Sequence, residues 1–173
     1  MSNPLIDVVW FILPAYAANS AAIDVSGLPV LKYYSTPIDF GRSFGGKRLF
    51  GDGKTWRGLV SGVLTATLCA HIMGVYQIEG LLEQSAFLGF LLGLGAMLGD
   101  LTASFVKRRL GFLRGHPVFL LDQLDYILGA FIFALPVYSF NVEYFIIACI
   151  ITLPVHYLAN VVAWLINLKK KPW

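Results

Sequence analysis

Three aspartates stand where an apolar chain has little reason to place a charge. Asp100 interrupts the run "FLGFLLGLGAMLGDLTASFV", and Asp122 and Asp125 belong to "LLDQLD", which leads into "YILGAFIFALPVYSF". Ionisable groups inside a membrane are rare and usually functional. Neighbouring carboxylates repel one another unless a cation joins them, and Mg²⁺ prefers oxygen ligands. The pattern predicts a magnesium site, although Asp122 and Asp125 alone also fit helix capping, because acids are favoured in a first helical turn.

A second polar concentration, "DFGRSFGGKRLFGDGKTWRG" at residues 39–58, holds six glycines and five cations before an apolar run. Glycine-rich backbone exposes N–H groups, and the N-terminus of the following helix adds partial positive charge, so the segment suits phosphate. It is not a P-loop, because the GxxxxGK[ST] spacing would require glycine at Arg48. The alternative is a flexible basic loop that lies on anionic lipid.

Composition indicates where these residues act. Of 173 residues, 57% are hydrophobic and only 13% are charged, about half the charge of a soluble domain, so the chain is predicted to be a membrane protein. A membrane-spanning helix needs roughly 20 mostly apolar residues. We predict an all-α integral membrane protein of one domain, residues 1–173, with five transmembrane helices and an active site formed by cytoplasmic loops. The predicted spans are residues 5–23, 56–75, 84–106, 124–140 and 143–168.

The basic residues predict the orientation of the bundle. All 13 Lys and Arg lie within residues 32–57, 107–114 or 169–171, while the alternate connections "YQIEGLLEQ" and "SFNVE" carry acids and no base. The positive-inside rule then places the N-terminus outside and the C-terminus in the cytoplasm of a multi-pass protein of the cell membrane.

The predicted spans also bring the polar residues together. The connection between the third and fourth spans is short, so these helices are antiparallel neighbours and their three aspartates lie at similar depths. Asp100, Ser104 and Lys107, at i, i+4 and i+7, share one helix face. Three pairs of glycines four residues apart predict close helix packing: Gly58 with Gly62, Gly89 with Gly93, and Gly95 with Gly99.

Four motifs carry a resemblance to a known family. "GKRLFGDGKTWRG", "GDLTASFVKRRLG", "LLDQLD" and "LPVHYLAN…LKKKPW" resemble segments of the CDP-archaeol synthases, membrane cytidylyltransferases of archaeal lipid synthesis. The segment from residue 99 to residue 125 is more distantly similar to the signature of phosphatidate cytidylyltransferases. It lacks their PGHGG element and has "GHPVFL" instead, so contacts made by that element do not carry over.

The resemblance implies a reaction, in which CMP is transferred from CTP to 2,3-bis-O-geranylgeranylglyceryl phosphate, an isoprenoid ether-lipid phosphate, and pyrophosphate is released. It implies Mg²⁺ as cofactor, CTP and membrane lipids as partners, and no nucleic acid. Asp100, Asp122 and Asp125 are then the catalytic and metal-binding residues. The expected nucleotide-binding residues are Lys47, Arg48, Asp52, Lys54, Thr55 and Arg57. Ser104, Lys107 and Arg108 are expected to hold the lipid phosphate or the pyrophosphate.

Two other functions fit part of the pattern. A cation or proton transporter could use intramembrane aspartates, but it would need polar residues deeper toward the outside. A CDP-alcohol phosphotransferase also uses membrane aspartates with Mg²⁺, but its DGxxAR…GxxxDxxxD pattern is absent from this sequence.

Overall fold

The computed structural model describes residues 3–27, 35–139 and 141–165, so Lys32 and the basic tail at residues 169–171 lie outside the described residues. Within these ranges the chain forms five α-helices and a two-stranded antiparallel hairpin. The helices are α1 (Pro4–Gly27), α2 (Trp56–Val75), α3 (Ala86–Arg109), α4 (Leu121–Ala134) and α5 (Val142–Leu165). The hairpin strands, β1 (Ser43–Phe44) and β2 (Lys47–Arg48), lie between α1 and α2.

The all-helical class is as predicted. By length and composition, α1, α2, α3 and α5 are long and apolar enough to cross a membrane. Many of their leucines, isoleucines and valines are exposed on the outer surface of the bundle, as expected where lipid rather than water surrounds a protein. These four helices therefore indicate a multi-pass membrane protein.

The fourth helix differs from its prediction. α4 begins at Leu121 and ends at Ala134, whereas the predicted span ran from residue 124 to residue 140. Its 14 residues measure about 21 Å, less than the roughly 30 Å of a bilayer core. The helix ends early because Pro136 lacks the N–H that would continue the ladder. At its start, Leu120 has a positive φ of 66°, uncommon for a residue with a side chain.

α3 lies at the centre of the bundle because its glycines let neighbouring backbones approach. A Cβ at Gly95 would collide with the carbonyl oxygen of Gly129 in α4, and a Cβ at Gly99 with that of Asp125. On the α2 side, a Cβ at Gly89 would lie 2.6 Å from the carbonyl oxygen of Ala66. The predicted packing role of the Gly89 and Gly95 pairs is thus confirmed. As a result, the residue after Gly99, Asp100, is held beside the first turns of α4.

An aromatic cluster anchors the other end of the short α4. Phe131 is almost fully buried, and its ring centroid lies 5.1 Å from that of Phe11 in α1 and 5.3 Å from that of Phe145 in α5. Both pairs meet edge to face, which is a favoured geometry for aromatic rings. The cluster and the glycine contacts together fix the position of α4, and with it the position of LLDQLD.

Candidate active site

A cavity of about 830 Å³ lies at one end of the helix bundle. This end carries the hairpin, the C-terminus of α3 and the N-termini of α2 and α4, and we call it the basic end. The volume is in the range of small-molecule sites, about 300–1,000 Å³. α1 and α5 complete the wall through Asn19, His156 and Asn160. The cavity brings together five of the residues that the sequence singled out: Lys54, Thr55, Asp100, Lys107 and Asp122.

The basic segment before α2 reaches α3 through an ion pair. Lys54 Nζ donates to both carboxylate oxygens of Asp100, at 2.6 and 2.5 Å, and both side chains are more than a quarter exposed. The next residue, Thr55, caps α2, because its Oγ1 accepts the N–H of Gly58 at 3.2 Å. The predicted phosphate segment and the predicted acidic site are therefore parts of one site.

A second ion pair joins α3 to α4. Lys107 Nζ donates to Asp122 Oδ1 at 2.5 Å, and Asp122 Oδ2 accepts the N–H of Val118 in the preceding loop at 3.0 Å. Asp122 lies in the first turn of α4, where acids are favoured, although the N-cap residue is Leu120, whose side chain makes no capping bond. Its two contacts also hold the α3–α4 loop and the end of α3 against the cavity.

Asp125, three residues after Asp122, lines a different compartment. It is near enough to Asp100 and Lys54 to interact with their charges, but it lines an apolar groove of about 510 Å³ between α4 and α5 rather than the cavity. Phe119 lines both the cavity and this groove. The two aspartates of LLDQLD thus face two compartments, one polar and one apolar, that share a wall.

Lysine side chains neutralise part of the negative charge of the site aspartates. Among the described residues, no three carboxylates, imidazoles or thiols converge closely enough to form a ready metal site. Asp100 and Asp122 each have a lysine as counter-ion. Carboxylate oxygens remain the ligands that Mg²⁺ prefers, so the donor chemistry fits this metal, and its binding would require the two acids to exchange their lysine partners.

The segment between α1 and α2 is organised by an acid that the sequence analysis did not assign. Asp39 is buried and accepts the backbone N–H groups of Gly41, Phe50 and Gly51, each at 3.0 Å. The guanidinium of Arg48 adds a hydrogen bond of 2.6 Å. The available signal was the glycine two residues after the aspartate, which is typical of an Asx turn.

The ionisation of Asp39 follows from these contacts. Burial alone would raise the pKa of Asp39, but the hydrogen bonds from Arg48 and the three backbone N–H groups outweigh it and hold that pKa well below its usual range. A lowered pKa stabilises the folded state above the unfolded-state value of about 3.9, and the stabilisation is lost as the pH falls through the folded-state value. We expect the segment to stay ordered down to about pH 4.

Replacing Asp39 by Ala is expected to loosen this segment. Four hydrogen-bond donors would lose their acceptor, so trypsin cleavage after Lys47 and Arg48 should accelerate at least about 10-fold, as measured by mass spectrometry. Asp52→Ala is the matched control, because Asp52 is exposed and forms its ion pair with Arg48, at 2.5 Å. Equal cleavage rates in the two variants would contradict the role of Asp39.

Arg109, at the end of α3, fastens the hairpin to the bundle. Its guanidinium donates to the carbonyl oxygens of Phe44, Lys47 and Arg48, the last two at 2.9 and 2.6 Å. Its Cζ also lies 5.1 Å from the ring centroid of Phe105, within the range of a cation–π contact. No spacing rule could have indicated this role, because the hairpin is more than 60 residues away in the chain.

Several predicted residues lie outside the cavity wall. Lys47 Nζ donates to the carbonyl oxygen of Arg109 at 3.1 Å, and Arg108 donates to the carbonyl oxygen of Leu113 at 3.1 Å. Ser104 is buried in α3, and Arg57 is half-buried in the first turn of α2. Their predicted roles, with those of Arg48 and Asp52, stay predictions. The residues that the sequence analysis left unassigned and the structure brings to the site are Asp39, Arg109, Gln123, His156 and Asn160.

Comparisons with known proteins agree with the all-helical fold. The family model described as CarS-like, CDP-archaeol synthase, matches residues 1–173. The chain is 41% identical over 177 residues to the CDP-archaeol synthase of Pyrococcus abyssi, which covers 99% of each chain. It is 40% identical over 186 residues to that of Archaeoglobus fulgidus, which covers 100% of each chain.

A solved structure has the same fold. It is reported as an intramembrane enzyme for archaeal membrane lipid biosynthesis, and it superimposes with a TM-score of 0.77 at 34% sequence identity, covering 91% of this chain and 94% of that chain. Sequence and fold agree over nearly the whole length. The chain therefore belongs to the CDP-archaeol synthase family.

Proposed function

We propose that this protein transfers CMP from CTP to an isoprenoid ether-lipid phosphate, giving a CDP-lipid and pyrophosphate. The observation that carries the proposal is the cavity at the basic end, where two lysine–aspartate pairs meet beside an apolar groove. A nucleotide arriving from water and a lipid phosphate arriving from the bilayer could both reach this place. Membership of the CDP-archaeol synthase family supports the substrate pair.

The proposed reaction needs no general base from the protein. The second pKa of a phosphomonoester is near 6, so the lipid phosphate is already an anionic nucleophile at neutral pH. One of its oxygens forms a bond to the α-phosphorus of CTP while the bond from that phosphorus to the β-phosphate oxygen breaks, and pyrophosphate leaves with that electron pair. The obstacle is repulsion between two polyanions, so charge neutralisation and positioning supply most of the catalysis.

Lys54 and Lys107 are the cations that could neutralise phosphate within the cavity. Both ammonium groups already lie on its wall, and both are held by carboxylates until a ligand with higher negative charge arrives. A triphosphate carries more charge than either Asp100 or Asp122. We propose that the lysines turn from the acids to the phosphates when CTP binds, which frees the carboxylate oxygens.

We further propose that Asp100, Asp122 and Asp125 then hold Mg²⁺, for which the carboxylate of Asp125 would turn from the groove toward Asp100. The bound metal would neutralise phosphate charge and orient the triphosphate. The three acids come from two helices whose backbones touch at Gly99, so their relative positions are set by close packing rather than by a flexible loop. The observation in favour is the chemistry of the donors, which are carboxylate oxygens.

The apolar groove suits the hydrocarbon part of the acceptor. Leu121, Leu124 and Leu128 of α4 and Phe145 of α5 line it, and Asp125 lies on the same wall. A lipid with its chains along this surface would bring its phosphate to the boundary that Phe119 shares with the cavity. The basic end is then proposed to face the cytoplasm, where CTP is made, in agreement with the positive-inside rule.

The proposed function is tested by adding CTP with Mg²⁺ to the purified full-length protein. At 100 times its Kd a ligand stabilises the folded state by about 2.7 kcal/mol, so the melting temperature should rise by several degrees. Radiolabel from [α-³²P]CTP should enter the lipid fraction only when an ether-lipid phosphate is present, and EDTA should abolish both results. Stabilisation without label transfer to any of several lipid phosphates would contradict the proposal.

A further inference from the structure

Gln123, between the two aspartates of LLDQLD, has a side-chain amide that the reaction proposed above does not use. The residue lines the cavity. Its Oε1 is buried and has no hydrogen-bond partner among residues 3–27, 35–139 and 141–165. A buried carbonyl oxygen without a donor is unfavourable, and such groups in proteins almost always have a partner. The amide therefore calls for a donor that the described chain does not supply.

The proposed substrates restrict what this donor can be. The triphosphate and the ether-linked glycerol phosphate present oxygen acceptors to the protein. The donors are on the nucleoside, namely the 4-amino group of cytosine and the hydroxyl groups of the ribose. An amide has an acceptor and a donor side by side, and the edge of cytosine has a matching donor and acceptor at its 4-amino group and its ring N3.

The position of Gln123 favours the base over the phosphates. Lys54 and Lys107 supply positive charge to the cavity, whereas the wall from α1 and α5 presents the amides of Asn19 and Asn160 and the imidazole of His156. Tyr126 is one helical turn after Gln123 on the same face of α4. The ring centroid of Tyr126 lies 6.3 Å from that of His156, so this face of α4 is directed toward the wall from α5.

We infer that Gln123 reads the base of the nucleotide. When its side-chain amide turns toward the cavity that the residue lines, Oε1 accepts a hydrogen bond from the 4-amino group of cytosine, and Gln123 is thereby a specificity-determining residue. The inference rests on the proposed function, because it takes CTP to be the occupant of the cavity. It assigns the two halves of the nucleotide to different walls, with the triphosphate at the lysines and the base at Gln123 and the α5 side.

The test is a double-mutant cycle between protein and ligand. Kd values are measured for the full-length protein with CTP, with the triphosphate of the 2-pyrimidinone ribonucleoside, which lacks only the 4-amino group, and with inorganic tripolyphosphate. The wild type should bind CTP roughly 10-fold more tightly than the analogue. Gln123→Met, similar in length but unable to form the hydrogen bond, should abolish that difference and leave tripolyphosphate binding unchanged. Gln77→Met is the matched control, because Gln77 is exposed far from the cavity.

Three results would overturn the inference. The first is equal binding of CTP and the analogue by the wild type, a result that does not depend on whether any variant folds. The second is an unchanged preference for CTP in Gln123→Met, and the third is an equal loss of CTP and tripolyphosphate, which would make Gln123 a structural residue. A wild type that selected CTP over the analogue but transferred no CMP to lipid would overturn the proposed function and leave the base-reading role standing.

Discussion

Asp100→Asn and Asp125→Asn are each expected to lower CMP transfer at least about 100-fold while the protein remains folded, on the scale of losing one preorganised electrostatic contact. Asparagine keeps the size of the side chain but removes the negative charge that a metal or a lysine requires. Asp100→Asn would remove the ion pair with Lys54, and Asp125→Asn would remove the repulsion between Asp125 and Asp100. Removing one of two neighbouring carboxylates relieves repulsion, so the melting temperature should hold or rise.

The measurement is the rate of label transfer at saturating CTP, together with the melting temperature of each variant. Asp122→Asn belongs in the same series, and it should keep the acceptor for the Val118 N–H while losing the ion pair with Lys107. Glu79→Gln is the matched control, since Glu79 is exposed in the α2–α3 connection. Excess Mg²⁺ should rescue at most part of the loss. Near-normal turnover by Asp100→Asn and either other Asn variant would sink the proposed metal site.

Gly99→Ala is expected to cost both stability and activity. The added methyl group would collide with the carbonyl oxygen of Asp125, which is backbone and cannot turn away, so α3 and α4 must separate. Overpacking of this kind costs about 1–3 kcal/mol of stability. A shift of about 1 Å between catalytic groups can cost roughly 100-fold in rate. The variant should therefore lose far more activity than its lowered melting temperature explains.

Thr102→Ala is the control for this variant, because Thr102 is exposed on the same helix and its hydroxyl donates to the carbonyl oxygen of Leu98 within α3. Rates should be measured at a temperature where more than nine-tenths of each variant is folded. A folded Gly99→Ala protein with wild-type turnover would show that the contact between α3 and α4 does not position the acids.

Features that depend on local spacing could be predicted from the sequence, whereas contacts between different helices could not. The glycine pairs indicated close packing because a four-residue spacing puts both glycines on one helix face, and the structure agrees at Gly89, Gly95 and Gly99. The apolar run to residue 140 predicts a longer α4 than the structure has, because apolar composition continues past Pro136 whereas the helical hydrogen bonds do not. The partner that Gly99 contacts, Asp125, lies on another helix and could not be read from spacing.

The site aspartates likewise have properties that the sequence predicts and contacts that it does not. The sequence indicated that Asp100, Asp122 and Asp125 need a cation, because charges in an apolar environment must be compensated. It did not indicate that Lys54, 46 residues before Asp100, meets that acid, since the pairing depends on how the segment before α2 folds around Asp39. Lys107 and Asp122 share a short connection, yet their contact also required the turn that Leu120 makes before α4.

By itself, the sequence determined that this is an all-helical membrane protein with its cations concentrated toward one end, together with Asp100, Asp122 and Asp125. The length of hydrophobic runs, the helical period and the placement of charges are local properties, because each depends only on residues that are close in the chain. Only the tertiary structure decided which lysine faces which aspartate, that Asp122 and Asp125 open onto different compartments, and that Arg109 fastens the hairpin. Such contacts join residues distant in the chain, and they arise only when helix packing and loop closure bring those residues within hydrogen-bonding distance.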